Sequence, residues 1–457
     1  MSLSSDVSAA RPESTLAFRT VDLRGRQLGL AEMRTAVPRV RQETTAEAEE
    51  SVQAIISTVR TQGLSGLRGL ARTFDGVEQQ HPRVPEAALA EALATVSTDV
   101  REALEESIRR ARSFADQQRP RNVDVEFGEG AVVSQNWVPV SRVGLYVPGG
   151  LAPLASSVVM NVVPALAAGV PSIALASPPQ KDFGGLPHPT ILAAAQLLGI
   201  KEVYAIGGAQ AIASFAYGVP ADASGPGIEP VDVVTGPGNI FVATAKRLVK
   251  GVVGIDSEAG TTEIAILADS GARPDLVAAD LISQAEHDPG AASVLITDSE
   301  DLAAAVRVEL EKQANATRHA DRVRTALSGA QSGVVLVDSL DQGIAACDAY
   351  AAEHLEIMTA GAPAVAARIR NAGAIFVGEY SPVSLGDYCA GSNHVLPTSG
   401  TAAFSSGLNV TTFLRAIQVV NYSQDALRKV SGHIVSLAQA EGLPAHGDAV
   451  TVRFGDH

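Results

Sequence analysis

The sequence predicts an α/β protein built on two doubly wound parallel sheets, and three observations predict it. Apolar runs of four or five residues alternate with helical patterns from residue 142 to residue 377, the rhythm of consecutive βαβ units. Ala, Val, Leu and Gly are abundant while aromatic residues make up only 4%, a mix suited to buried parallel strands covered by Ala-rich helices. At 457 residues the chain is also too long for one simple core, so two large units are expected.

The elements follow in order. Residues 1–20 lack the apolar stretch of a secretory signal and read as a loose extension. Between 46 and 114, apolar positions such as Val52, Ile55, Ile56 and Val59 recur at helical spacing. A β-like stretch spans 123–140. Strands are then expected at 143–147, 172–176, 203–206 and 231–234, with helices at 156–166 and 190–198. A second set places strands at 264–267 and 294–297 around a helix over 274–287. Strands at 334–337, 355–358 and 374–377, with a helix over 340–352, complete it. From residue 410 the chain is expected to turn helical, Ser423 capping a helix that runs toward Glu441 and stops at Gly442.

Composition excludes several classes of function. The chain is 46% hydrophobic and 19% charged, as an ordinary globular protein is. A net charge of −15 argues against nucleic acid as a main partner. No run of 18 apolar residues is present to span a membrane. The two cysteines, Cys347 and Cys389, form no Cys-x-x-Cys, which argues against a disulfide framework or a thiolate zinc site and fits a reducing cytoplasm.

Three groups of residues carry candidate chemistry. Glu353 and His354 are adjacent, between a helical pattern and an apolar β-like run. An acid and a base at a sheet edge can divide a reaction, one moving a substrate proton and the other activating water; an exposed pair at a helix end has the same local pattern. Three glycine turns end strands of the first set: Tyr146-Val147-Pro148-Gly149-Gly150, Gly207-Gly208-Ala209-Gln210 and Gly236-Pro237-Gly238-Asn239. Such turns line ligand pockets beyond the carboxyl ends of parallel strands, and Gln210 and Asn239 offer hydrogen bonds. None is G-x-G-x-x-G, so a dinucleotide and ordinary βα connections explain them equally. Finally, Gln284 and His287 share a helix face at i,i+3, and Asp387, His394 and His446 offer further donors. Each of these taken alone reads as readily as a cap or surface residue, and H-E-x-x-H is absent.

Together these segments resemble the histidinol dehydrogenase family. The likeness runs from 142 to 452 through R-V-G-L-Y-V-P-G-G, G-G-A-Q-A-I-A, G-P-G-N-x-F-V, S-Q-A-E-H-D, A-E-H-L-E, G-D-Y-x-A-G-x-N-H-V-L-P-T and A-E-G-L-x-A-H. The resemblance implies a zinc-dependent oxidation of L-histidinol to L-histidine through the aldehyde, using two NAD, as the last steps of histidine biosynthesis. It makes Gln284, His287, Asp387 and His446 ligands of one zinc per subunit, which chiefly orients substrate. His354 becomes the base for both hydride transfers and Glu353 the activator of water. Thr262, His394 and Glu441 match substrate contacts, joined there by His354 and the four metal ligands. Tyr146, Gln210 and Asn239 match NAD contacts.

The resemblance further implies two Rossmann-like domains lacking G-x-G-x-x-G, with small N-terminal and C-terminal segments. These are an N-terminal arm over 1–37, a first α/β domain from 38–145 and 262–408 bearing the metal and catalytic residues, a second domain over 146–261 for NAD, and a helical segment over 409–457. It implies a cytoplasmic homodimer whose C-terminal segment brings Glu441 and His446 into the partner's site. Departures are few. Thr262 stands where the family has Ser, and Thr261, Ala352 and Ser392 replace a usual Pro. Residues 221–229 read as a surface insertion. Competing readings are a zinc hydrolase with Glu353 as base, a ligand-binding relative without activity, and a related dehydrogenase for another small alcohol. The first leaves the glycine turns without a task, and the second predicts the loss of residues that are all intact here.

Overall fold

The computed structural model describes residues 16–39, 46–149, 153–258 and 260–455. Two parallel sheets dominate it. The larger has six strands in the order Thr20–Asp22, Gly333–Leu336, Ala292–Thr297, Glu263–Ala268, His354–Met358 and Ala374–Val377. The smaller has five, in the order Glu202–Ala205, Ser172–Ser177, Arg142–Tyr146, Val233–Thr235 and Gly254–Ile255. Both are doubly wound: the first strand of each set lies centrally, and the connections step outward to one side and then to the other.

Period-2 alternation sorts strand residues between the two faces. In Glu263–Ala268, Ile264 and Ile266 pack under helices Pro274–Ala285, Glu300–Ala316 and Ala320–Ser328. Ala265 and Leu267 pack on the other side against Leu340–Tyr350 and Leu30–Ala36. The small sheet is sandwiched likewise. One face meets Ala155–Ala168 and Pro189–Leu197, the other Gly208–Tyr217 and Ile240–Val249. Gly144, in its central strand, leaves room for the Phe215 ring, which a Cβ would approach to 2.4 Å.

Sheet membership differs from the expected division in three places. Thr20–Asp22, expected in an N-terminal arm, pairs in parallel with Gly333–Leu336 as the edge of the large sheet. The N-terminal helices, expected with the large sheet, pack on the small one: Val52, Ile56 and Val59 share a core with Ile212 and Val242, and Leu89 and Ile108 share one with Val159. Arg142–Tyr146 is the small sheet's central strand, so the boundary expected at 145 falls inside it.

A third, antiparallel sheet joins Val123–Gly128, Ala131–Pro139 and Leu414–Tyr422. The last strand corrects the expectation of helix from 410 onward. Val and Ile recur through this segment and it pairs along its whole length with Ala131–Pro139. Helix Gln424–Ala440 then starts as expected, with Ser423 Oγ accepting from the Ala426 N–H at 3.2 Å. Among the described residues no helix is long and apolar enough to cross a membrane.

Candidate active site

Glu353 and His354 open strand His354–Met358 at the amino edge of the large sheet, beside the start of Glu263–Ala268. Both are buried. One residue of the neighbouring strand holds the two. The Glu263 N–H donates to Glu353 Oε2 at 2.9 Å, and the Glu263 carbonyl lies 3.2 Å from His354 Nδ1. A carbonyl only accepts, so Nδ1 carries the proton there and Nε2 presents its lone pair. That Nε2 is buried without a partner. Burial lowers the His354 pKa, so the ring is held neutral. Burial pushes Glu353 up to about 7, against the hydrogen bonds from Thr262 and Glu263.

Gln284 reaches the same edge because its helix, Pro274–Ala285, runs back from the far end of the strand before it. Its Nε2 donates to Thr262 Oγ1 at 2.5 Å, and Thr262 Oγ1 donates to Glu353 Oε2 at 2.5 Å. Gln284 Oε1 is left buried and unpartnered. His287 lies beyond the helix rather than in its last turn, since the helix ends at Ala285 with Glu286 as its C-cap. His287 and Asp387 are still near enough to influence Glu353 electrostatically.

Asp387 sits on the short helix Val383–Tyr388. Its carbonyl lies 3.1 Å from His394 Nδ1, and its Oδ1 lies 3.7 Å from the same nitrogen. His394 Nε2 lies 3.1 Å from Ser157 Oγ, on a helix of the small sheet, so this loop joins the two halves. Asn393 strengthens the joint by donating to the Met160 carbonyl at 2.7 Å. Glu441 and His446 are not brought to this cluster. Both are exposed on the C-terminal helical pair.

The glycine turns all stand at the carboxyl edge of the small sheet, and Tyr146 links them. Its hydroxyl accepts from the Gly208 N–H at 3.1 Å. Its carbonyl lies so close to Gly236 that a Cβ there would stand 2.0 Å away. Burial raises the Tyr146 pKa to about 12, so the phenol stays protonated. Asn239 Oδ1 caps the next helix, accepting from the Phe241 and Val242 N–H groups at 3.1 and 3.2 Å. Gln210 is buried in the first turn of Gly208–Tyr217. Gly150, the last residue of the first turn, lies outside the described residues.

Several contributing residues were not singled out in the sequence. Lys246 and Asp256 form a buried ion pair, 2.5 Å apart, that grips the Gly236 peptide on both sides. Lys246 Nζ donates to its carbonyl at 2.9 Å, and Asp256 Oδ2 accepts from its N–H at 2.9 Å. Glu263 turns its carboxylate to Arg39, 3.1 Å away. Glu356, on the same strand face as His354, accepts from the Val383 N–H at 2.9 Å and so caps the helix bearing Asp387. Asp280 is close enough to act on it electrostatically; burial lifts Asp280 to about 6 and Glu356 well above its usual range. No spacing rule points to these residues, because each partner lies on a different element.

A neutral imidazole, an amide oxygen without a protein partner and a carboxylate are donors that suit a divalent cation such as zinc. Gln284, His287 and Asp387 fit that role as far as one chain supplies it. Among the described residues, no three His, Cys, Asp or Glu side chains come together as a closed metal cluster, so the set calls for a further donor.

Two doubly wound sheets, one with a buried base and carboxylate at its amino edge and the other with glycine turns at its carboxyl edge, suit an oxidoreductase of the dehydrogenase class, and the comparisons with known proteins give that class. The family model for histidinol dehydrogenase matches residues 38–454. The chain is 59% identical to the histidinol dehydrogenase of Nocardia farcinica over 441 residues, covering 96% of this chain and 99% of that one. It is 60% identical to that of Thermobifida fusca over 434 residues, covering 95% and 97%. The crystal structure of histidinol dehydrogenase from Elizabethkingia anophelis superposes with a TM-score of 0.88 at 31% identity, covering 96% of this chain and 98% of that one. The chain belongs to the histidinol dehydrogenase family.

Proposed function

We propose that the protein oxidises L-histidinol to L-histidine through bound L-histidinal, reducing two NAD, with one zinc ion per subunit, as the last steps of histidine biosynthesis in the cytoplasm. The observation that carries this reading is the pairing of an unpartnered, buried His354 Nε2 with a Glu353 carboxylate tethered through one oxygen. His354 Nε2 takes the hydroxyl proton as hydride leaves the alcohol carbon. Glu353, with its pKa near 7, is matched to remove a proton from the water that adds to the aldehyde, while protonated His354 returns its proton to the aldehyde oxygen and so regains its free Nε2. His354 then accepts the hydroxyl proton of the hydrate as the second hydride leaves. Across both halves the alcohol carbon loses four electrons, and the carboxylate gains one oxygen from water.

Bound NAD supplies the hydride acceptor. The glycine turns support its place at the small sheet, where helices Gly208–Tyr217 and Ile240–Val249 begin and the positive ends of their dipoles lie. Bound zinc supplies a Lewis-acid anchor for the substrate's imidazole and amino group. Gln284, His287 and Asp387 would hold it, with His446 of the partner subunit as the missing donor. Support for a homodimer comes from the antiparallel sheet and C-terminal helices, which expose the apolar side chains Phe127, Val420, Leu437 and Val452. His394 and Glu441 complete the substrate contacts, the latter from the partner.

The test is to count NADH per histidine formed from L-histidinol by zinc-loaded protein. Two NADH per histidine, abolished by a chelator and restored by zinc, is the expected result. Activity only with another amino alcohol overturns the substrate, and absence of NADH with every alcohol overturns the reaction.

A further inference from the structure

We infer that Thr262 is a positioning residue that aligns the water-activating carboxylate of Glu353 and ties that alignment to the amide of Gln284. This rests on the function proposed above and gives Thr262 a task other than substrate contact. A hydroxyl has one hydrogen to donate and two lone pairs to accept with. Gln284 Nε2, 2.5 Å from Thr262 Oγ1, can only donate, so Thr262 accepts there. The single Thr262 hydrogen then goes to Glu353 Oε2, also 2.5 Å away, in the range of hydrogen bonds to an ionised carboxylate.

Glu353 Oε2 has a second donor in the Glu263 N–H at 2.9 Å. Two donors from different directions fix the carboxylate plane. Oε1, which takes neither bond, is left as the oxygen that meets water. The same chain of bonds fixes Gln284. With its nitrogen committed to Thr262, its Oε1 is the atom that remains buried without a protein partner. A flipped amide would turn that oxygen toward Thr262 and draw the hydroxyl hydrogen away from Glu353. One hydroxyl therefore sets both the donor atom offered to a cation and the aim of the carboxylate. Thr262 is itself stiff: its carbonyl accepts from the Ala292 N–H at 3.1 Å, and its branched Cβ limits rotation about χ1.

Thr262→Val removes the hydroxyl at nearly constant shape, and Thr262→Ser keeps it. The two half-reactions are measured separately, starting from L-histidinol and from L-histidinal, and zinc affinity is measured by competition with a chromophoric chelator. Thr262→Val is expected to slow aldehyde oxidation about 10²-fold, near the lower end of what general acid–base groups contribute. Alcohol oxidation should change only a few-fold. Zinc should bind roughly tenfold more weakly, as when a group behind a metal ligand is lost. Thr262→Ser should restore all three values. Equal slowing of both half-reactions, or a raised KM for histidinol with kcat and zinc affinity intact, would overturn the inference. Should Thr262→Val fail to fold, Thr262→Ala is judged on the same ratio of half-reactions. Wild-type protein that makes no NADH from histidinol would instead overturn the reading on which the inference stands.

Discussion

The two parallel sheets share the order of five strands and, on the function proposed above, put opposite edges to use. The small sheet offers its carboxyl edge, where Tyr146 ends strand 142–146 and Gly208 and Asn239 follow strands 202–205 and 233–235. The large sheet offers its amino edge, where Thr262, Glu353 and His354 precede or open their strands. On that reading, the rule that open α/β sheets bind ligands at carboxyl ends describes the first and not the second. Helix polarity explains why the division is useful. At a carboxyl edge helices begin, and free N–H groups favour anions such as a diphosphate. At an amino edge helices end, and their carbonyl dipoles favour cations. Gln284 stands in the last turn of just such a helix, Pro274–Ala285. One topology therefore supplies an anion-seeking edge and a cation-seeking edge, and the His394–Ser157 contact brings them together.

This division of labour can be broken or sharpened by substitution. The largest effect is expected from Glu353→Gln, which should slow histidinal oxidation about 10³-fold by removing the base toward water. NAD affinity, read by fluorescence titration, should hold. A matching loss of NAD binding would mean that the two edges do not act separately. Lys246→Met comes next. It strands a buried carboxylate at Asp256 and should cost about 3 kcal/mol in denaturant unfolding, while weakening NAD and leaving zinc in place. Adding Asp256→Asn should recover much of that stability. Zinc loss in Lys246→Met would erase the distinction between the edges.

The smallest effect concerns the carboxyl pair under the large sheet's site. Asp280 is lifted to about 6 and Glu356 further, so the folded state holds protons that the unfolded chain releases near pH 4. Their stabilising contribution is complete below that pH and is lost as pH rises through 6. The slope is at most about 1.4 kcal/mol per pH unit for each proton. Glu356→Gln should flatten it in urea unfolding measured from pH 4.5 to 7.5.

Much of this was legible in the sequence. Strands such as Glu263–Ala268 and Ala292–Thr297 are buried throughout and mostly apolar because both faces are covered, and that leaves an unmistakable run. Glu353 and His354 stood out because adjacent titratable groups at the mouth of such a run are conspicuous. Leu414–Tyr422 was misread because nearly all of it is exposed within one chain, so burial imposes no period on it. Thr20–Asp22 was missed because three residues carry too little pattern to announce a strand. The Lys246–Asp256 grip on Gly236 was invisible for another reason. A buried lysine on an amphipathic helix reads as a solvated face until the fold supplies its partner.

The strand Thr20–Asp22 also shields an otherwise open margin. The Val334 N–H donates to the Arg19 carbonyl at 2.8 Å, and the Leu23 N–H to the Leu336 carbonyl at 2.9 Å. Without those partners, Gly333–Leu336, an apolar strand buried along its length, would present an unpaired ladder to solvent. Ladders of that kind recruit other chains into intermolecular sheets. Three residues far from any reacting atom therefore guard the protein against self-association, and proteolytic trimming past residue 23 would be felt first as turbidity, with every catalytic group still in the chain.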